Sequence, residues 1–304
     1  MRLRRWQANL LLLTVALIWG SAFVAQSAGM ASVGPLTFTG LRFLLGALVV
    51  APLAWWEWRT RTERGTPTAG GDAASVFALG VLLMLGAVFQ QIGIIDTTVT
   101  NAGLLTALYV PLVPLLVWFI DRRLPHWSVW PSSFGCVLGT ALISGQGFSP
   151  PGVGDAWVIG SSFFWALHVL FVGRLAERLS APFLVAAGQF FVCGLLSLLA
   201  ASCWETATLA GLRQAWLPIV YTGVVSVGIG FSAQVVGQRY AQPAEAAIIL
   251  SAETVFAGLF GFLLLGERLA DSGLVGAALI LGCLLTVQLL PVSDVRGRSD
   301  DKKK

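Results

Sequence analysis

Apolar runs of about twenty residues, the length a bilayer-crossing helix needs, follow one another from Leu10 to Leu290 with only short polar breaks between them. A strand of a membrane barrel would instead alternate apolar and polar positions over about 10 residues. Runs such as LLLTVALIW and GLFGFLLLG do not alternate. The pattern predicts an all-α polytopic membrane protein with ten transmembrane helices, at 8–28, 34–56, 73–95, 99–120, 128–146, 153–175, 182–203, 215–237, 243–265 and 271–290. Loops are short apart from 59–72 and 204–213, so no soluble domain is expected.

The pattern is written twice. Ala16–Phe23, with Trp19, lies opposite Ser162–Val169, with Trp165, and Pro35–Phe43 lies opposite Pro182–Phe190. Arg123-Leu124 then matches Arg268-Leu269, all at separations of 145 to 147 positions. Two five-helix repeats are expected, at 1–147 and 148–292, with a polar cytoplasmic tail at 293–304. Because five is odd, the second repeat enters the bilayer upside down relative to the first. Inverted repeats of this kind belong to secondary transporters, whose substrate site lies at the repeat interface near midplane.

Charge adds an orientation. The chain is 56% hydrophobic and 11% charged, with a formal charge of +4, against roughly 25% charged in soluble domains. With the N-terminus inside, the cytoplasmic loops collect Arg2, Arg4, Arg5, Arg59, Arg61, Arg64, Arg122, Arg123, Arg174, Arg178 and Arg239. The outer side carries Arg213 and Arg268. That asymmetry predicts both termini cytoplasmic, in a bacterial inner membrane. It accounts for the basic balance without nucleic acid. The first helix is expected to stay, since no clear small-x-small cleavage site follows it. Cys136, Cys193, Cys203 and Cys283 are isolated and indicate neither a metal site nor a disulfide framework.

Chemistry gathers at a few depths. Most of the 12 tryptophans fall at helix ends, as in an aromatic belt, but Trp19 and Trp165 sit near the centres of two repeat-mate helices. Glu253 lies well inside the run Ser251–Leu269, where an ionisable group is a functional hypothesis by default. Tyr109 and Thr106 are one turn apart, beside Pro111 and Pro114, which permit a kink. His168 lies one turn from Trp165, and Gln90, Gln91, Gln234 and Gln238 are further polar wall candidates. Arg42 has apolar neighbours and a neutral mate, Gln189, as a structural residue would; if it meets Glu253 the two form a buried pair that could break during transport, and if not, burial favours a protonated Glu253. Trp19, Tyr109, Trp165, His168, Glu253, Thr106, Gln90 and Gln234 are thus candidate substrate contacts, with Glu253, Arg42 and His168 as coupling or gating candidates. Gly135-x-x-x-Gly139 and Ala257-x-x-x-Gly261 offer close helix packing.

The run WGSAF at Trp19–Phe23, Arg42-Phe43, Trp165, Glu253 and LGERL in the ninth helix together resemble the EamA-type members of the drug/metabolite transporter superfamily. The similarity spans essentially the whole chain. It implies ten helices in two inverted repeats around a central cavity lined chiefly by helices 1, 3, 4, 6, 8 and 9. Among subfamilies the chain is most similar to YddG-type exporters, which implies export of neutral or aromatic amino acids. Leu108 stands where the second half has Glu253, so carboxylate-based coupling would be asymmetric. The expectation is a secondary transporter with a small-molecule substrate and no cofactor; a drug or other metabolite exporter is the alternative. A channel or a membrane enzyme is a different class, and the chain has no G-x-x-x-x-G-K-[ST], H-E-x-x-H or G-x-S-x-G to support an ATPase or hydrolase.

Overall fold

The computed structural model describes residues 3–65, 70–97, 99–122, 124–144, 152–266 and 271–289. Arg123, Glu267-Arg268 and the basic tail lie outside the described residues. The described chain is helical throughout: α1 (Arg5–Met30), α2 (Pro35–Glu63), α3 (Gly70–Asp96), α4 (Val99–Thr106), α5 (Tyr109–Asp121), α6 (Val129–Ser144), α7 (Val153–Leu179) and α8 (Pro182–Trp204). After α9 (Leu209–Gln214) and α10 (Trp216–Tyr221), a π-helical segment, Thr222–Phe231, leads into α11 (Ser232–Gln238). The chain closes with α12 (Pro243–Leu250), α13 (Glu253–Leu265) and α14 (Asp271–Leu289). Among the described residues, seven stretches are long and apolar enough to cross a membrane: α1, α2, α3, α7, α8, Trp216–Gln238 and Pro243–Leu265. Tyr109–Asp121 and Asp271–Thr286 are shorter apolar helices.

Polar contacts mark two ends of the bundle. At one end Arg5 meets Glu245 at 3.0 Å, Arg178 meets Asp72 at 3.0 Å, and Arg174 meets Asp121. There too Arg61 reaches the Leu179 carbonyl and Arg239 reaches Ser180. At the other end Thr97 bonds Asp155 at 2.6 Å and Ser32 bonds Gln214 at 3.3 Å. It follows that α1 and α7 run in opposite directions, as do α2 and α8. The packing survives exchange of the halves: α2 packs on α8, α6 on α14, α3 on α7 as α1 on α10 and α11, and α1 on α13 as α7 on α5.

The α2–α8 pair shows how the halves hold each other. After the end of α8, the Glu205 carboxylate accepts the backbone N–H groups of Leu36 and Thr37 at 2.7 and 2.8 Å, capping α2. At the opposite end, Glu57 of α2 accepts the N–H of Leu184 at 2.9 Å, capping α8. A helix start leaves orphan N–H donors and a positive dipole end, and each carboxylate meets both needs. Between the caps, Phe43 and Phe190 pack at 6.0 Å in the buried core. Elsewhere small residues set the approach: a Cβ on Gly139 would stand 2.7 Å from the Gly276 carbonyl of α14, and one on Gly20 would stand 2.8 Å from the Ala257 nitrogen.

Two helices that the apolar pattern runs straight through are broken. Pro111 has no N–H for the Ala107 carbonyl, so the chain tightens at Ala107-Leu108, where Val110 N–H bonds Ala107 at 2.9 Å. The break precedes the proline, where the kink that Pro111 permits falls. In the second half no proline is present, yet the chain tightens at Ser251-Ala252, with Ala252 N–H on Ile249 at 3.2 Å and Thr254 N–H on Ser251 at 3.1 Å. The hydroxyls of Ser251 and Thr254 bond the carbonyls of Ile248 and Ser251 at 2.7 and 2.9 Å, which keeps buried carbonyls satisfied. Glu253 is thus the first residue of α13, not the interior of one long helix.

Glu205→Ala and Glu57→Ala are each expected to lower stability by about 1–2 kcal/mol through loss of a cap. Their effects should add, since the caps sit at opposite ends. Thermal unfolding in detergent checks this; a double variant no less stable than either single would contradict reciprocal capping.

Candidate functional site

The helix breaks and the π segment converge on one cavity between the halves. Its walls include Trp19, Phe23 and Gln26 of α1, Arg42 of α2, Gln90 of α3, Thr106 and Tyr109 at the first break, and Glu253 at the second. Trp165 and Val169 of α7, Ser226 and Phe231 of the π segment, and Gln234 of α11 complete them. Both repeats contribute. Trp19, Gln90, Thr106, Tyr109, Trp165, Gln234, Glu253 and Arg42 are brought together, as their polarity and depth led one to expect. His168 is not: it sits behind Trp165, fully buried, with Nε2 2.7 Å from Gln189 Oε1. Its ring meets Trp165 and Phe231 edge-on at 6.0 and 6.3 Å, so it supports the aromatic wall from outside.

Phe231 is the keystone of that wall. Its ring lies 4.5 Å from Trp19 and 5.8 Å from Trp165, stacked on the latter at 26°. Trp19 Nε1 donates to the Ser226 carbonyl at 3.4 Å, a group within the π segment. Short π-helical stretches recur at functional sites, because they re-aim side chains that an α-helix would turn away. Bonding from i to i+5 carries Ser226 and Phe231, five apart, to the same cavity.

The polar wall is under-satisfied. Gln90 donates to Thr106 Oγ1 at 2.8 Å, and Thr106 donates back to Ala102 at 2.6 Å. Tyr109 Oη reaches the Ala247 carbonyl at 3.5 Å. In contrast, Trp165 Nε1, Arg42 Nε and both amide atoms of Gln234 are buried with no protein partner. Arg42, 3% exposed, donates Nη1 to Gln26 Oε1 at 2.7 Å and lies 5.0 and 5.6 Å from the Phe43 and Phe38 rings. Glu253, 4% exposed, makes no ion pair among the described residues. The buried Arg42–Glu253 pair that the sequence allowed does not form. Glu253 stands instead at the first turn of α13, where the helix dipole favours an anion.

The cavity measures about 40 Å³, room for water but far below the roughly 300 Å³ or more of a ligand pocket. A guest larger than water therefore requires the walls of the cavity to move apart. Helical spacing from the anticipated residues could have found three more lining positions: Phe23 and Gln26 follow Trp19 by four and seven, and Val169 follows Trp165 by four. Nothing in the sequence pointed to Ser226 or Phe231, because the π segment departs from the 3.6-residue period.

An uncompensated buried cation costs stability that a structural residue would return. Arg42→Met combined with Gln26→Leu is expected to raise the thermal unfolding temperature in detergent while abolishing function. A large drop in that temperature would make Arg42 a structural residue.

Comparisons with known proteins agree with this architecture. The EamA-like transporter family matches residues 6–145 and again 152–288, once per half. An uncharacterized transporter of Archaeoglobus fulgidus is 30% identical over 287 residues, covering 94% of this chain and 87% of its own. A solved crystal structure superposes with a TM-score of 0.75 over 94% of this chain and 98% of its own, at 22% identity, a likeness of fold. With a family match in each half and a full-length transporter relative, the chain belongs to the EamA-like transporter family.

Proposed function

We propose that the protein is a ten-span secondary transporter of two inverted five-helix repeats that exports small metabolites, neutral or aromatic amino acids first among them. The cargo binds in the central cavity and crosses by alternating access. The observation that carries this reading is the cavity itself: both halves build it, at the level of both helix breaks, from aromatic rings and polar groups without partners. Broken helices at a repeat interface are where transporters of this architecture hold substrate, and exchanging the conformations of the two halves reverses the direction of access. Repeats at 1–147 and 148–292 fit the two family matches. The arginine-rich end, with Arg5, Arg61, Arg174, Arg178 and Arg239, faces the cytoplasm by the positive-inside rule, which puts the N-terminus inside a bacterial inner membrane.

Reconstituted into proteoliposomes, the protein should carry labelled neutral amino acids with saturable flux and counterflow. Glu253→Gln should cut that flux while leaving the unfolding temperature unchanged or higher, since it replaces a buried carboxyl that has no ion partner among the described residues. Flux of other solutes but of no amino acid would replace the amino-acid reading with that of a drug or other metabolite exporter. Flux that never saturates would replace the carrier with a channel.

A further inference from the structure

We infer that the cavity recognises a zwitterion in one fixed polarity: Arg42 with Gln26 takes the cargo's carboxylate, Glu253 takes its ammonium, and the Trp19–Phe231–Trp165 cluster takes its apolar remainder. This rests on the transport reading and adds to it the roles of the two charges and the orientation of the guest.

The two charges line the same cavity, yet they do not neutralise each other. Arg42 spends one donor on Gln26, keeps Nε without a partner and has two aromatic faces beside it. A guanidinium presents five donors in a rigid fork suited to a carboxylate, and Gln26 holds that fork by one corner only. Among the described residues Glu253 is likewise free of hydrogen bonds and ion pairs, so its two oxygens are open to an ammonium. Sealing two such charges inside an apolar bundle is costly unless each meets its opposite. A zwitterion supplies both opposites and adds no net charge. An amine alone leaves Arg42 unanswered, and an anion alone leaves Glu253 so.

The positions along the axis give the polarity. One helix measures both: a Cβ on Gly20 of α1 would stand 2.9 Å from the Glu253 carbonyl, and Gln26, which holds Arg42, lies six residues further along α1 towards the Glu205 end, about 9 Å of helix. An offset of about 9 Å matches the span of a small zwitterion with a hydrogen bond of about 3 Å at each end. The carboxylate therefore points to the Glu205 end and the ammonium to the middle. The equivalent place in the second half carries no such charge: Gln189, the mate of Arg42, is closed onto His168.

The test is competition against labelled phenylalanine in proteoliposomes by phenylalanine, its methyl ester, its N-acetyl form and phenethylamine. In the unmodified protein each derivative that lacks one charge should compete about tenfold or more weakly, as for loss of a charge-assisted hydrogen bond. Arg42→Gln should bring the methyl ester level with phenylalanine while still discriminating against the N-acetyl form; Glu253→Gln should do the reverse. Gln26→Glu keeps the arginine but seats a carboxylate against it, and should mimic Arg42→Gln in a protein whose fold gains an ion pair. Equal competition by all four compounds overturns the inference and leaves amino-acid transport standing. So does an ester-to-acid ratio unchanged in both Arg42→Gln and Gln26→Glu. Absence of any phenylalanine flux or competition, with the protein folded, overturns both.

Discussion

Inside a bilayer there is no water to complete an unmet hydrogen bond, so every backbone group and every charge must be answered by the protein or by what it carries. The reciprocal caps of Glu205 and Glu57 answer the starts of α2 and α8, and the Ser251 and Thr254 hydroxyls answer carbonyls freed at a helix break. Four buried side-chain atoms without a hydrogen-bond partner, on Arg42, Trp165 and Gln234, belong to one cavity wall, while others, on Asn9, Thr39, Gln91, Ser197 and Gln238 among them, lie outside it. What sets the wall apart is that its groups adjoin open space that a guest can enter.

A twofold scaffold here carries a cavity that is not twofold. The packing of α2 on α8 and α6 on α14, and the two helix breaks, repeat across the halves. The charged groups do not. Glu253 has Leu108 as its mate, and Arg42 has Gln189, which is turned onto His168 instead of into the cavity. Near-symmetry lets two arrangements of the halves have similar free energy, which the alternating access we propose demands. On the polarity inferred above, the asymmetric charges give the guest a direction within it.

The aromatic cluster joins these two properties. Phe231 packs on Trp19 from one half and Trp165 from the other, and the indole of Trp19 bonds the π segment that presents Phe231. A 40 Å³ cavity holds a guest larger than water only when its walls move apart. On the transport reading we propose, the ring contacts that fill the site when it is small are the ones a guest's apolar part replaces.

The linear sequence determined the membrane class, most helix starts to within a few residues, the duplication and most of the charged and aromatic wall, though α2 runs to Glu63, seven residues past its expected end. Hydrophobic period and repeat spacing are local signals, and a charge in an apolar run announces itself. Tertiary structure alone decided which of these groups meet. It left Arg42 and Glu253 unpaired, withdrew His168 behind Trp165, and set the break in the first half at Ala107-Leu108. It also broke the helix before Glu253 with no proline to signal it, and wound Thr222–Phe231 as a π-helix so that Phe231 faces the cavity. Those outcomes depend on the fit of one half against the other, and contacts between residues more than a hundred positions apart leave no trace in the period of either strand of sequence.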